Sequence, residues 1–286
     1  MNLSSKAMLA SLTIRQWTAR KYDKKVSRDV ANAHGSDIHM GRYNKSLLAK
    51  TALEEIQRVA SQARADFYAH TLPWQDDGAR VLTSSGYFDL AQKMRGHEGN
   101  WQPATERLFD NYDTYTNDAR VSLNGLWKAE DYPTLGELRG KFGLDFRVRP
   151  LPEAEDFRVN LSSEDVRLIQ NQITRSNDAA VKTAMTDVFE RIRDVVSAMA
   201  GKLKTYKVTE DGVEGIFRDT LVTNVKDLLD VLPSLNLTDD ARVTTFAQEM
   251  RKLVQYDAET LRESEHTRIQ VAASADSILA TMSGII

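Results

Sequence analysis

The chain has 286 residues, of which 41% are hydrophobic and 28% charged, and its formal net charge at pH 7 is −3. The low content of Pro (6) and Gly (14) argues against a disordered chain and against a loop-rich β-sandwich. No stretch approaches eighteen apolar residues, which excludes a transmembrane helix, and the first residues lack the continuous apolar core of a signal peptide. The absence of Cys excludes disulfides, thiolate metal sites and cysteine nucleophiles. We therefore predict a soluble, cytoplasmic protein.

Charge is distributed unevenly along the chain. Residues 1–50 contain ten Lys and Arg against three Asp, a net charge of +7, so the remaining chain carries −10. A basic segment attached to an acidic body favours contact with a nucleic acid, with an acidic partner, or with the body of the same chain.

The N-terminal quarter combines a strand with the first long helix. Residues 11–18 alternate apolar and polar side chains, which predicts a short strand. Residues 19–30 are predicted to form a basic turn and a short helix, and residues 33–41 a loop between two glycines. Asn44 is predicted to cap a helix over residues 45–71, whose apolar positions recur every three or four residues.

The middle of the chain has weaker helical signals. Residues 75–85 are predicted to be a linker, and residues 87–95 a helix that the glycine-containing stretch 96–100 interrupts. Pro103 suits the first turn of a further helix over residues 103–129.

Residues 131–161 form the least helical region. A short helix is predicted from Leu135 to Phe142, and short strands are predicted at residues 146–148 and 157–161. These strands are expected to pair as a small sheet, together with the N-terminal strand.

The C-terminal half predicts the longest helices. Ser162 or Ser163, followed by acidic residues, caps a helix that runs to about Tyr206, roughly 60 Å if unbroken. A shorter helix over residues 214–232 and a last one from Ala241 to about His266, capped by residues 238–240, follow.

The fold class is therefore mainly α, a long-helix antiparallel bundle with a small β element formed from the N-terminal and middle segments. We predict a basic N-terminal segment (1–44), a helical region with an irregular insert near 131–161 (45–161) and a long-helix bundle (162–286), within one continuous domain.

Catalytic and metal-binding motifs are absent from the sequence. It contains no phosphate-binding Gly-rich loop, no nucleophile elbow and no His-Glu-x-x-His, and we predict no catalytic residues, no cofactor and no metal. His34, Asp37 and His39 are better explained as loop polarity than as ligands. Two adjacent carboxylate pairs, 76–77 and 239–240, are interpreted as a solvated linker and a helix cap.

The basic N-terminal segment is the best candidate binding surface. Its cations surround two aromatic residues, a mixture that suits phosphate contact with base stacking, although the aromatics would equally serve as core anchors. The candidate contacts to nucleic acid or to an acidic partner are Arg15, Trp17, Arg20, Lys21, Tyr22, Lys24, Lys25 and Arg28.

Three stretches carry a resemblance to a known family: the strand-like residues 12–17 with Arg20-Lys21-Tyr22-Asp23, the segment from Tyr132-Pro133 to residues 146–152, and residues 156–159 leading into a long helix. The chain resembles a family of uncharacterised, mostly helical proteins of phages and integrative mobile elements, encoded beside a MoxR/CobS-like AAA+ ATPase and a von Willebrand A-type protein. The resemblance implies a phage or mobile-element origin, the host cytoplasm as location, and a role as adaptor or substrate of a remodelling ATPase.

Three functions follow as hypotheses. The leading one is a non-enzymatic assembly or adaptor protein that self-associates, or docks onto an AAA+ ATPase-type partner, through its long helices. The alternative is a nucleic-acid-binding accessory protein of phage recombination or replication that uses the basic segment. A metal-dependent nuclease with scattered carboxylates is the third. No membrane partner is expected.

Overall fold

The computed structural model describes residues 3–75, 78–154, 162–210 and 212–285. About 65% of the chain is helical, and a small antiparallel sheet accompanies the helices, so the predicted mainly α class with a small β element is confirmed. None of the described helices combines the length and the hydropathy needed to cross a bilayer. In the described residues the helices are α1 (Lys24–His34), α2 (Thr51–His70), α3 (Tyr87–Asp110), α4 (Tyr112–Leu123), α5 (Leu135–Arg139), α6 (Ser163–Thr205), α7 (Thr220–Leu235), α8 (Ala241–Leu253), α9 (Ala258–Glu263) and α10 (Glu265–Met282).

The strands are short and belong to three sheets. The described strands are β1 (Ala7–Arg15), β2 (Arg20–Tyr22), β3 (Asn44–Ser46), β4 (Leu72–Pro73), β5 (Arg80–Thr83), β6 (Gly143–Pro150), β7 (Lys207–Thr209) and β8 (Gly212–Glu214). The largest sheet has the order β4-β5-β1-β6, and β1 pairs antiparallel with β5 in a register that sets Leu9 opposite Val81. The other two sheets are the pairs β2–β3 and β7–β8, both antiparallel.

The chain divides into two compact units. Unit 1 comprises Met1–Ser11, Phe67–Ala91 and Arg147–Ile286, and unit 2 comprises Leu12–Asp66 and Gln92–Phe146. Counted over the whole sequence, unit 2 carries 18 Lys and Arg against 15 Asp and Glu, whereas unit 1 carries 20 against 26. Unit 2 therefore has a net charge of +3 and unit 1 a net charge of −6. The predicted division at residues 44 and 161 stays a prediction.

The core of unit 1 lies among its long helices. Side chains of α6 from Ala180 onward pack with α7, α8 and α10, and the ring of Phe189 meets that of Phe246 edge-on at 6.3 Å. Ser162 caps α6 by accepting a hydrogen bond from the Asp165 amide, as predicted, because the acidic first turn favours a start there. The bundle therefore begins, within α6, at Ala180.

The core of unit 2 is smaller and is built around α2, α3 and α4. Trp101 and Leu108 of α3 are buried with Ile56 of α2 and Phe142, and the rings of Phe109 and Phe142 meet edge-on at 5.8 Å. This core supports the strand pair β2–β3 through buried Leu47, which directly follows β3.

Helix boundaries differ from the prediction at several places in the chain. The predicted break at residues 96–100 is wrong, since α3 continues through Gly96 and Gly99 to Asp110. The helix predicted over residues 103–129 is instead divided between the end of α3 and α4. Each interior glycine costs about 1 kcal/mol, and burial of the apolar residues that follow outweighs that cost. Asn44 is not a helix cap but begins β3, and α2 begins at Thr51.

Three further predictions need correction. The linker predicted at residues 75–85 contains β5, because Val81 and Leu82 are buried. The helix predicted over residues 214–232 was expected to end before Pro233, but α7 continues through this proline to Leu235. The last predicted helix is divided into α8, α9 and α10, because Asp257 and Ser264 each cap a new helix with their side chains. The strand predicted at residues 157–161 lies outside the described residues.

Candidate nucleic-acid interface

The candidate interface is built on the strand pair β2–β3. The pairing sets Lys21 directly opposite Lys45, an arrangement that repels unless anions lie beside it. Ala19, just before β2, is buried and has a left-handed backbone with φ of 48°, and its carbonyl accepts a 2.7 Å hydrogen bond from the Leu47 amide. A non-glycine residue in that conformation is strained, so packing around the turn holds the position of β2.

Lys45 is buried between two carboxylates. Its ammonium group lies 2.6 Å from Asp131 Oδ2 and 3.6 Å from Asp23 Oδ2, and it donates a 2.7 Å hydrogen bond to the Leu126 carbonyl. The side chains of Lys45, Asp131 and Asp23 are only 2%, 3% and 9% exposed. Lys21 completes the cluster from the solvent side, 2.8 Å from Asp131 Oδ1. Two positive and two negative groups therefore compensate one another, which is the condition for burying charge.

The two carboxylates of the cluster have pKa values below their usual range. Burial acts to raise the pKa of Asp131, but the ammonium groups of Lys21 and Lys45 outweigh it and hold that pKa below its usual value. The pKa of Asp23 is lowered chiefly by a hydrogen bond from the Val26 amide. The pKa of Lys21 is raised chiefly by the hydrogen bond that Lys21 donates to Asp131. Both carboxylates therefore remain charged, and Lys21 and Lys45 are held in place by them.

Asp23 also fixes the start of α1. Its carboxylate accepts hydrogen bonds from the amides of Lys25 and Val26, both at 3.1 Å, while its carbonyl accepts one from the Ser27 hydroxyl at 2.8 Å. Because the carboxylate occupies the first free amides of α1, an external anion at this end would be held by side chains. Lys24, Lys25 and Arg28, all exposed, stand on this capped turn.

A concavity of about 600 Å³ lies beside the capped turn. Apart from the compensated cluster, its charged lining consists of four cations, Lys24, Lys25, Arg28 and Lys128, and two carboxylates, Asp29 and Glu130. None of the four cations forms an ion pair with any residue that the structure describes. The concavity therefore presents excess positive charge whose compensation must come from solvent ions or from a ligand.

The two aromatic residues of the predicted set, Trp17 and Tyr22, differ in their exposure to solvent. Trp17 is half-buried and meets Tyr112 edge-on at 6.2 Å, against the core of unit 2, so it serves as a core anchor. Tyr22 is 42% exposed and lines the concavity, with the guanidinium of Arg42 5.7 Å from its ring centre. Tyr22 is thus the aromatic residue of the predicted set that a base could reach.

The predicted cations are also divided. Lys21, Lys24, Lys25 and Arg28 line the concavity, as Tyr22 does. Arg20 and Arg15 are exposed but are not part of that lining, and the guanidinium of Arg15 approaches Gly143 so closely that a Cβ there would lie 2.8 Å from it.

Sequence reasoning missed the residues that hold the surface in place. Lys45 and Asp131 belong to no local motif, and the role of Asp23 as the cap of α1 does not indicate that it also pairs with Lys45. Lys128 and Glu130 come from a segment about one hundred residues after α1. The position of Lys45 two residues before the apolar pair Leu47-Leu48 was a weak signal of its burial. The cluster depends on tertiary structure.

Two of the other three sets of polar residues considered in the sequence, the loop around Asp37 and the pair at residues 239–240, contain a side chain with a structural role. Asp37 Oδ1 accepts a hydrogen bond from the His39 amide, and the described residues contain no group of three or more potential metal ligands. Asp240 caps α8 as predicted, accepting a hydrogen bond from the Arg242 amide. The pair at 76–77 lies outside the described residues.

No protein-family model, no curated protein and no solved structure matches this chain.

Proposed function

We propose that the protein is a non-enzymatic nucleic-acid-binding protein that contacts phosphates at the concavity beside α1. The observation that carries the proposal is a set of exposed cations that form no ion pair with the residues that the structure describes: Lys24, Lys25 and Arg28 on α1 and Lys128 across the concavity. Four cations against the two carboxylates of Asp29 and Glu130 leave this surface with an excess of positive charge, so an anionic chain that neutralises several of the cations binds favourably.

The ligand class follows from what the surface offers. Lysine ammonium groups recognise phosphates as point charges and carry no sequence information, and Tyr22 offers one stacking face that accepts any base. Binding should therefore be independent of sequence. Since Trp17 packs into the core, the stacking contribution comes from Tyr22 alone within the predicted set.

The test is a titration with a fluorescent single-stranded 20-mer of mixed sequence, followed by anisotropy in 0.1 M salt. The variant Lys24→Gln/Lys25→Gln/Arg28→Gln removes three phosphate contacts. Each contact contributes a slope of about 0.7 in log K against log salt, so at 0.1 M salt, one decade below 1 M, the variant should bind about a hundredfold more weakly. The control variant Lys182→Gln/Lys226→Gln/Arg218→Gln makes the same change of net charge with exposed cations of unit 1 and should bind as wild type does.

Two outcomes contradict the proposal. Equal weakening by both triple variants would show an effect of net charge without a site, and absence of binding by the wild-type protein at low salt would remove the function. Running the bound oligonucleotide on a gel after incubation with Mg²⁺ adds an enzymatic check, since a binding protein leaves it intact whereas a metal-dependent nuclease shortens it.

A second candidate function is assembly, or adaptation of an AAA+ ATPase, through long helices. One observation favours it: the first 17 residues of α6, Ser163–Ala179, contain no buried residue. Five of these residues are half-buried, and burying their side chains further against a partner helix would stabilise this part of α6. Binding of the protein to a purified MoxR/CobS-like ATPase tests the adaptor role. The absence of a complex at micromolar concentrations, together with an ATPase activity that is the same with and without the protein, would contradict it.

A further inference from the structure

A second, smaller cavity lies on a different side of α1 from the concavity. Its volume is about 210 Å³. Sites for drug-sized ligands measure roughly 300–1,000 Å³, so this cavity has room for one small ring system. Lys25 and Arg28 of α1 line the concavity, whereas Val30 and Ala31 line the second cavity, which we call the side pocket. A helix with its side chains is about 10 Å wide, so a short stretch of one ligand chain can reach both cavities.

The walls of the side pocket are mainly apolar. Ala31 is buried, whereas Val30 and Tyr43 keep 50% and 39% of their surface exposed. The Ser27 hydroxyl also lines the pocket, but it is already engaged, since it donates to the Asp23 carbonyl and accepts a hydrogen bond from the Tyr43 amide. The side pocket therefore offers an aliphatic and an aromatic wall, which suits a planar ring that stacks.

One polar edge of the side pocket is open to a ligand. Asp37 Oδ1 accepts a 3.0 Å hydrogen bond from the His39 amide, while Oδ2 forms no hydrogen bond or ion pair with any residue that the structure describes. Every nucleobase carries at least one N–H donor on its Watson–Crick edge, so this oxygen can accept a hydrogen bond from any of them. In a duplex these N–H groups are bound to the opposite strand. The side pocket can therefore take only an unpaired base.

The charges of the two cavities match the two parts of a nucleotide. The side pocket contains one cation, Arg42, and one anion, Asp37, which balance, whereas the concavity has an excess of positive charge. A phosphate is therefore favoured in the concavity and a neutral base in the side pocket. Arg42 also joins the two cavities, because its guanidinium lies 5.7 Å from the ring centre of Tyr22, which lines the concavity. A strand that passes between the cavities thus meets a guanidinium and an aromatic ring, both of which stack on bases.

We propose that the side pocket holds one unpaired base of the strand whose phosphates lie in the concavity, so that the ligand of this protein is a single-stranded nucleic acid. The base stacks on Tyr43, packs against Val30 and donates an N–H hydrogen bond to Asp37 Oδ2. These contacts accept any base, so they select an unpaired strand without selecting a sequence. The inference rests on the nucleic-acid binding proposed above and adds the class of substrate.

Competition against the labelled single-stranded 20-mer in 0.1 M salt measures this selection. DNA and RNA strands of one sequence are compared first, and the one that binds more tightly identifies the natural strand. The unlabelled strand should then displace the label at a concentration about tenfold lower than its duplex does. Electrostatics alone predicts the opposite order, because a duplex has the higher charge density and releases more counterions per contact.

Two carboxylate variants separate the side pocket from general electrostatics. Asp37→Asn keeps the oxygen that accepts from the His39 amide and replaces Oδ2 by an amino group. It should weaken single-strand binding about fivefold, although it removes a negative charge. The matched control Asp29→Asn removes the same charge from the concavity and should strengthen the binding of strand and duplex alike. Stronger single-strand binding by Asp37→Asn as well would overturn the role of the side pocket.

Two variants of Tyr43 test the aromatic wall. Tyr43→Ala should reduce the preference for the single strand to about threefold or less and leave duplex binding unchanged, whereas Tyr43→Phe keeps the ring and should bind as wild type does. Equal displacement by strand and duplex with the wild-type protein would overturn the inference. If Lys24→Gln/Lys25→Gln/Arg28→Gln still weakened binding in that case, the phosphate site would stand without the side pocket. Absence of any binding by the wild-type protein would contradict both proposals.

Discussion

Lys45 is the residue on which the candidate interface depends most strongly, and Lys45→Met tests that dependence. Methionine keeps most of the length of the side chain and removes the charge. Asp131 and Asp23, which are 3% and 9% exposed, would then lose a counter-charge 2.6 and 3.6 Å away. Breaking one partner of a buried ion pair costs about 3–5 kcal/mol, because a buried charge remains uncompensated.

The contacts that remain in the Lys45→Met variant narrow the range of the expected loss of stability. Lys21 would still contact Asp131, and the amides of α1 would still solvate Asp23, so the loss should be near the lower end, about 3 kcal/mol. The Leu126 carbonyl would lose its hydrogen bond as well, at a cost of about 1 kcal/mol. We therefore expect Lys45→Met to lower the free energy of unfolding of unit 2 by about 3–4 kcal/mol.

Urea titration followed by tryptophan fluorescence measures this change, because three of the four Trp residues, at 17, 101 and 127, lie in unit 2. The double variant Lys45→Met/Asp131→Asn removes the uncompensated charge and should recover at least 1.5 kcal/mol relative to the sum of the single changes. A loss below 1 kcal/mol for Lys45→Met, with additive single changes, would refute the reasoning that the pair is a buried, coupled one.

Three further predictions concern pH, the aromatic residues and the backbone. The pKa values of Asp131 and Asp23 in the folded protein lie below the usual value of about 3.9. Their contribution to stability is therefore complete above that value and is lost as the pH falls through the folded pKa. The urea midpoint should fall as the pH is lowered from 6 to 2.5, and a midpoint that does not change with pH would contradict this account. Tyr22→Ala should weaken oligonucleotide binding about tenfold with little change in urea midpoint, whereas Trp17→Ala should lower the midpoint and leave the affinity of the folded protein unchanged; the reverse pattern would contradict their placement. Gly215→Ala should lower the melting temperature, since φ is +82° and a Cβ would lie 2.6 Å from the carbonyl oxygen of the last α6 residue, and calorimetry showing no loss would refute this.

Local signals predicted α6 well because they agree with one another. A serine cap, two acidic residues in the first turn and a long apolar periodicity all favour a helix that starts at Ser163. They could not indicate where packing begins, because Ile169 and Ile173 continue the same periodicity as the buried residues after Ala180. Which part of a stripe is covered depends on the neighbouring helices.

The errors in unit 2 have a common physical cause. Gly96 and Gly99 have weak helix propensity, so local preferences favoured a helix break there. Asn44 is a good helix cap, so local preferences favoured a helix start at that residue. Tertiary packing decided otherwise, since the residues after the glycines of α3 enter the core and Lys45 is drawn into a buried cluster with Asp131, which lies 86 residues away in the chain. The basic character of the interface could be predicted from composition, but the anions that organise it could not.

The salt dependence of oligonucleotide affinity tests the central claim most directly. Four cations that each neutralise one phosphate should give a slope of about −3 in a plot of log K against log salt concentration for a single strand. The variant Lys24→Gln/Lys25→Gln/Arg28→Gln should retain a slope of about −1, because one phosphate contact, at Lys128, remains. Equal slopes for the wild-type protein and this variant would contradict the claim that phosphates are bound at the concavity beside α1.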